Sequence, residues 1–229
     1  MTEGEFFGKL YSQMMNLGYH GISRFAAFQA EIQGAQFGFG ENSLCPTSFD
    51  GPGGMRGLYP AAPSTGSNTR TLQPGDLVTV DLGFGVGGYH TDKTQVYCFH
   101  GVPSLEAHNA HSKCMQICQH GAALLKPGAV PEDIYNTVTP ADDPDFMENY
   151  MGMGHHAVQF LGHSVGLTID EAPIIARGFK KPLEANMVFA LEPKKGIPGQ
   201  GTVGVEETFL VTPDGGRCIS GGTKEIILV

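Results

Sequence analysis

Positive charge is scarce in this chain. Lys and Arg number 14 against 23 Asp and Glu in 229 residues, for a formal net charge of -9, and no stretch concentrates the basic residues. A protein that holds nucleic acid neutralises phosphates with a basic surface, so this balance excludes that class of partner. Long hydrophobic runs are missing too. None reaches the roughly 20 apolar residues of a membrane-spanning helix. The opening Met1-Thr2-Glu3-Gly4-Glu5 lacks the basic-then-apolar pattern of a signal peptide. The zinc-type Cys-x-x-Cys spacing is absent too. The five cysteines (Cys45, Cys98, Cys114, Cys118, Cys218) are odd in number and contain no Cys-x-x-Cys. They read as reduced thiols of a cytosolic protein, with Cys114 and Cys118 one helical turn apart on a core face.

What is present describes a globular protein. Hydrophobic residues make up 41% and charged residues 16%, enough for a sizeable core in one large domain or two small ones. The 33 glycines are scattered among apolar runs, which points to tight turns rather than disorder.

The organising stretch is Gly75-Asp76-Leu77-Val78-Thr79-Val80-Asp81-Leu82-Gly83, continuing through Gly87-Gly88-Tyr89-His90-Thr91-Asp92-Lys93-Thr94. Period-two alternation predicts a strand, Gly-Val-Gly-Gly at 85–88 a turn, and 89–99 a second strand. Each strand carries one aspartate in an apolar or aromatic setting. Buried carboxylates are costly unless a cation accompanies them, so two on neighbouring strands call for a metal between them. Asp92 also suits a turn, where Asp beside Gly is common. Asp81 is harder to place that way, because it follows Leu-Val-Thr-Val inside a strand.

Along the rest of the chain, Thr2 and Glu5 form a capping box for a helix to about Leu17. Its apolar stripe is Phe6, Leu10, Met14 and Leu17, with Phe7 and Tyr11 beside it. Residues 22–33 fit strand or helix. The Gly/Pro/Ser-rich segment 34–74 either hides short strands near Phe37 and Leu44 or lines a cleft. Ser104 caps a helix to about Lys126 with Ala107, Ala110, Cys114, Ile117, Cys118, Gly121 and Leu125 on one face. Short helices are expected at 132–137 and 143–150, then strands at 157–161, 187–192, 203–212 and 225–229.

Three further stretches carry chemistry. His163 stands in Gly-His-Ser-Val-Gly, where flanking glycines allow close backbone approach, although a lone histidine between glycines is more often structural than a ligand. Glu192 closes the apolar Met187-Val188-Phe189-Ala190-Leu191. Glu206 and Glu207 lie within a Val/Gly/Phe strand and point to opposite faces, so one of them is expected to face inward and need a cation. Four carboxylates and a histidine suit divalent Mn, Co, Fe or Zn. Four carboxylates overcharge one ion but match two, as in two-metal hydrolases.

The order Asp, Asp eleven residues on, Gly-His-x-x-Gly, Phe-x-x-Glu-Pro, Val-Glu-x-Thr resembles the metallopeptidase family of methionine aminopeptidase, proline dipeptidase and aminopeptidase P. The resemblance spans about residues 5–229. The ending Gly-Val-Glu-Glu-Thr-Phe-Leu-Val-Thr-Pro-Asp-Gly is most similar to the Xaa-Pro branch. It implies one α+β domain over 1–229 of pita-bread fold, with two pseudo-two-fold halves whose curved antiparallel sheet is flanked by helices. It implies two divalent ions, Mn or Co first and Zn or Fe as alternatives. Asp81 would bind one, Asp92 and Glu206 would bridge, and His163 and Glu192 would bind the second. Thr94 and Thr208 would orient ligands or serve as plain strand threonines. The implied reaction is metal-assisted hydrolysis of an amino-terminal Xaa-Pro bond in a peptide substrate. Glu192 would accept and then donate the proton. A cytosolic homodimer is the accompanying expectation, because relatives are often dimers.

Three departures from the family pattern stand out. Relatives carry a second histidine seven residues after the first; here that place is Asp170, and an ionised carboxylate cannot donate to an oxyanion. His90, which shares a strand face with Asp92, is the candidate to replace it, with His155 and His156 as others. No histidine precedes Asp81 in the segment Phe49-Asp50-Gly51-Pro52-Gly53-Gly54. Xaa-Pro peptidases usually carry an amino-terminal domain, whereas this chain starts almost at the first catalytic-domain helix, so the expectation is either a fragment of a longer protein or a single-domain member. Methionine aminopeptidase-like activity is one alternative, and a non-catalytic peptide-binding module on the same fold is another. Creatinase-like members act without metal and lack the full ligand set.

Overall fold

The computed structural model describes residues 1–27, 30–46, 51–59 and 66–229. The first helix, α1 (Glu3–Asn16), starts where the capping box predicts. Thr2 Oγ1 accepts from the Glu5 amide at 3.2 Å, and Glu5 accepts from the Thr2 amide at 2.8 Å. Its Phe6 and Phe7 rings pack on Phe37. Leu17, assigned to the same stripe, is instead the exposed residue after the last turn. The ambiguous segment that follows resolves into two short strands, β1 (Ser23–Arg24) and β2 (Glu31–Ile32). Among its described residues, the Gly/Pro-rich segment hides the strand β3 (Ala35–Phe39). Around Leu44 the chain forms a 3₁₀ turn, Gly40–Leu44, and not a second strand.

The hairpin is β4 (Leu77–Val86) and β5 (Tyr89–Cys98). Gly87 and Gly88 take φ of 61° and 91°, the paired positive values of a two-residue turn whose twist matches the strands. Asp81 faces Thr94 and Gly83 faces Asp92 across the ladder, so the two aspartates are diagonal neighbours on one face. With β3 on one side and β13 (Ile227–Leu228) on the other, they form a four-stranded sheet in the order β13-β5-β4-β3.

Ser104 caps α2 (Leu105–Leu124), and every residue assigned to its inner face is buried. Two short helices follow, α3 (Pro131–Val138) and α4 (Pro144–Met147). The strands β6 (Phe160–Ser164), β7 (Glu171–Ala176), β8 (Val188–Leu191), β11 (Glu207–Thr212) and β12 (Gly215–Cys218) build a five-stranded antiparallel sheet in the order β12-β11-β8-β6-β7. A separate hairpin joins β9 (Lys194–Ile197) to β10 (Gly201–Gly204). The continuous strand expected over 203–212 is therefore two strands, interrupted at Val205 and Glu206, and the strand expected at 157–161 starts later and includes His163. The apolar face of α2 and the inner faces of β8, β9, β10 and β11 form the main core. Each large aliphatic side chain removed from water there contributes about 1.5–3 kcal/mol.

Where β5 meets the approach to β11, the two larger sheets are joined by main-chain hydrogen bonds. Thr94 of β5 and Glu206 exchange backbone hydrogen bonds at 3.2 and 3.4 Å. That seam sets where the acidic residues of both sheets converge.

Candidate metal centre

At the seam, β4 and β5 bring Asp81 and Asp92, β6 brings His163, the end of β8 brings Glu192, and the link before β11 brings Glu206. Gly162, just ahead of His163, is required. A Cβ there would lie 2.0 Å from the Ala190 carbonyl oxygen, so β6 and β8 approach this closely only at glycine. Ligand-type atoms fall into two groups, each within 4.8 Å: Asp92, His163 and Glu206, and Asp81, Glu192 and Glu206. Glu206 belongs to both. His163 Nε2 stands 3.4 Å from Glu192 Oε1 and 3.8 Å from Glu206 Oε1.

The surroundings hold these groups in place. Thr94 Oγ1 donates to Glu206 Oε2 at 3.0 Å. Thr208 holds the Asp92 backbone, accepting from its amide and donating to its carbonyl, both at 2.8 Å. Both threonines thus touch the candidate ligands, Thr94 at a carboxylate and Thr208 at the main chain.

One residue that sequence reasoning missed sits at the centre. Lys194 is fully buried, and its Nζ donates to Asp81 Oδ2 at 3.0 Å, Glu192 Oε2 at 2.7 Å and Glu206 Oε2 at 2.8 Å. The signal was available. Lys194 follows Glu192 by two residues and so shares its face, and a strand opening Lys-Lys-Gly-Ile between two buried acids is unusual. Its neighbour Lys195 points the other way and donates to the Phe146 carbonyl at 2.9 Å and the Asp145 carbonyl at 3.3 Å.

Electrostatics follow from this packing. Burial opposes the charge on Lys194, but Asp81, Glu192 and Glu206 outweigh it and hold its pKa well above the ordinary lysine value. Burial, and then the Asp81 charge, pushes Asp92 well up; burial, and then Asp92 and Glu192, does the same to Glu206. For Glu192 burial is outweighed by Lys194 and His163, and its pKa is lowered. His163 is raised to about 9, because Glu192 and Asp92 overcome its burial. Protons therefore compete for this site, as they do at metal sites generally.

The residues fit a divalent ion at Asp92, His163 and Glu206. Glu206 Oε1 is buried there with no hydrogen-bond partner, and a cation would satisfy it. At Asp81, Glu192 and Glu206 the Lys194 ammonium already fills the position between the oxygens.

Other expectations are placed as follows. Glu207 is as buried as Glu206 and has its own cation: Lys93 Nζ contacts Glu207 Oε1, while the Gly222 amide donates to Oε2 at 3.2 Å. The expectation that one of the two glutamates needs a cation is corrected, since both are inside and each has a lysine. His90 sits 3.2 Å from His20, ring nitrogen to ring nitrogen, and its Nδ1 lies 3.3 Å from the Gly166 carbonyl. Burial lowers its pKa. It does not line the cleft over the acids, whose described lining includes Phe25, Ile32, Gln36, Gly51, Ile169 and Asp170. Asp170 thus does face the site. His155 and His156 are exposed. Phe49 and Asp50 lie outside the described residues.

A model of metallopeptidase family M24 matches residues 8–213. The chain belongs to that family. Within M24 it is 30% identical over 174 residues to the probable dipeptidase PepE of Mycobacterium tuberculosis, covering 76% of this chain and 44% of the relative. It is 29% identical over 173 residues to the Xaa-Pro dipeptidase of Lactobacillus helveticus, covering 76% and 45%. The chain spans about half the length of these curated relatives. Among solved structures, dipeptidase PepE from Mycobacterium ulcerans superposes with a TM-score of 0.76 at 23% identity, over 100% of this chain and 53% of that one. The prolidase from Pyrococcus horikoshii OT3 gives 0.73 at 22%, over 99% and 56%. These likenesses establish the α+β pita-bread fold. The family implies divalent metal. No helix among the described residues is long and apolar enough to cross a membrane.

Proposed function

We propose that this chain carries the catalytic site of a divalent-metal peptidase that cleaves amino-terminal Xaa-Pro bonds. The observation that carries the reading is the convergence of Asp81, Asp92, His163, Glu192 and Glu206 from separate strands at the seam of two sheets, with Glu206 shared between two clusters. Several relatives are named Xaa-Pro dipeptidase, which favours that bond over the methionine aminopeptidase alternative.

Asp92, His163 and Glu206 would hold the ion; the five-residue set leaves room in this reading for Mn or Co before Zn or Fe. A bound ion of this kind polarises a carbonyl and lowers the pKa of water. The chain's own residues do the rest. Glu192, pinned between His163 and Lys194, is placed to take a proton and return it to the leaving proline nitrogen. Thr94 and Thr208 keep Glu206 and Asp92 oriented, so little geometry must be found during reaction. His90, expected to be catalytic, would in this reading serve only to position the wall beside the cleft through its contacts with His20 and the Gly166 carbonyl. The five unpaired cysteines suit a reducing cytosol, and a homodimer is the expected assembly.

The test is hydrolysis of Ala-Pro and Met-Ala peptides side by side, with Mn²⁺ or Co²⁺ and with chelator. Release of proline that chelator abolishes supports the reading. Turnover of Met-Ala alone would move it to the methionine aminopeptidase class. No turnover of either, with metal bound, would favour the peptide-binding module.

A further inference from the structure

The geometry points to Lys194 as a built-in cation that takes the place of one of the two metal ions, leaving a centre that binds a single divalent ion at Asp92, His163 and Glu206. This rests on the metal-peptidase reading above and departs from the two-ion expectation.

Three observations carry it. First, the ammonium has three donors, and each meets a different carboxylate oxygen, on Asp81, Glu192 and Glu206, at 2.7–3.0 Å. These are the three residues that would otherwise hold an ion between them. An ion there would have to stand where Nζ stands. Second, the fold is built around this side chain. Gly204, opposite Lys194 in the β9–β10 ladder, takes φ of +134°, and a Cβ there would lie 2.6 Å from Lys194 Cα and 3.1 Å from its Cγ. Lys194 is also fully buried, so its ammonium has no route to water without loss of its ion pairs. Third, the second position stays open to a cation. Glu206 turns Oε2 to Lys194 and Thr94, and leaves the buried Oε1 without a hydrogen-bond partner on the His163 side. One glutamate thus faces an internal cation with one oxygen and the candidate ion position with the other. The four carboxylates bring four negative charges. The ammonium and one divalent ion supply three positive ones, so a second divalent ion is not needed for rough balance.

The experiment is the metal count of the full chain, stripped with chelator and re-equilibrated with Mn²⁺ by dialysis, read by elemental analysis and by electron paramagnetic resonance. The wild type should take up one equivalent and give the six-line spectrum of an isolated Mn²⁺. Lys194→Ala should take up a second equivalent and give the broader spectrum of an exchange-coupled pair. Two equivalents with a coupled spectrum in the wild type would overturn the inference and leave the peptidase reading intact. One equivalent in both proteins would also overturn it, because Lys194 would not be what excludes the second ion. No uptake by either protein would overturn the inference and the peptidase reading together. Lys194→Met, which keeps the buried stem and removes the ammonium, is read in the same way if Lys194→Ala folds poorly, and two equivalents in the wild type overturn the inference without either variant.

Discussion

Glu206 and Glu207 are adjacent, equally buried and each paired with a lysine, yet they are different kinds of residue. Glu207 is closed: Lys93, Ser220 and the Gly222 amide share its two oxygens. Glu206 is open: Lys194 and Thr94 hold Oε2, and Oε1 has no hydrogen-bond partner. Glu3 makes the contrast sharper. It too is fully buried, and its carboxylate is satisfied by the Phe39 and Ser67 amides and by Asn42, with no cation among the described residues in contact. Burial of an acid therefore does not mark a site. What sets Glu206 apart is a carboxylate oxygen left over after its structural partners are counted.

The comparison breaks most visibly by substitution. Glu206→Gln should abolish Mn²⁺ uptake, read by elemental analysis, while leaving the melting temperature little changed, because it removes a carboxylate crowded by Asp92 and Glu192. Asp92→Ala should also abolish uptake. Glu207→Gln should do the reverse. Metal content stays, and stability falls by about 2–3 kcal/mol in denaturant titration as the pair with Lys93 loses its negative charge and one of the two acceptor oxygens shared by Lys93, Ser220 and Gly222 becomes a donor. If Glu207→Gln lost the metal instead, the two residues would not differ in the way described.

Thr94→Val is the milder probe of the same contrast. It removes the hydroxyl that aligns Glu206 Oε2 and should weaken Mn²⁺ binding about 10-fold by dialysis, within the range for such supporting groups.

Much of this was legible in the sequence. The capping box at Thr2 and Glu5, the Gly87-Gly88 turn and the inner face of α2 follow from local patterns, and they stand in the structure as read. Asp81, Glu192 and Glu206 stood out because carboxylates are rare in apolar strands, and they do converge. Local pattern failed where the deciding contact is distant. The strand at 171–176 and the split at Val205 and Glu206 depend on pairing across the sheets, and the seam to Thr94 lies 112 residues away in sequence. Lys194 was overlooked because a lysine is ordinarily a solvated residue; only the three acids around it reveal that it is buried. Strand alternation puts only one of Glu206 and Glu207 inside because it names two faces, and here both faces are covered.

The pH dependence separates the metal-free state from the metal-bound one. In the metal-free protein the folded pKa of His163 is about 9 against an ordinary 6.5, a raised value. Its contribution to stability is then fully present below pH 6.5 and is lost as pH rises through about 9. Asp92 and Glu206, also raised, act in the same direction from lower pH. The melting temperature of chelator-treated protein should therefore decline from neutral pH to pH 9, while Mn²⁺ affinity should rise over the same interval as protons leave the ligands. A flat melting profile would contradict the His163–Glu192 pairing. The smallest effect belongs to the far end of the chain. Thr2→Ala should cost about 1 kcal/mol through loss of the helix cap, with metal content untouched.

The central claim is that an open oxygen on Glu206 marks the ion position and Lys194 fills the neighbouring one. Anomalous diffraction at the manganese edge from Mn²⁺-soaked crystals tests it most directly. One peak among Asp92, His163 and Glu206, with Lys194 Nζ still on Asp81 and Glu192, is the predicted result. Two peaks with Lys194 displaced, or no peak at this seam, would contradict it.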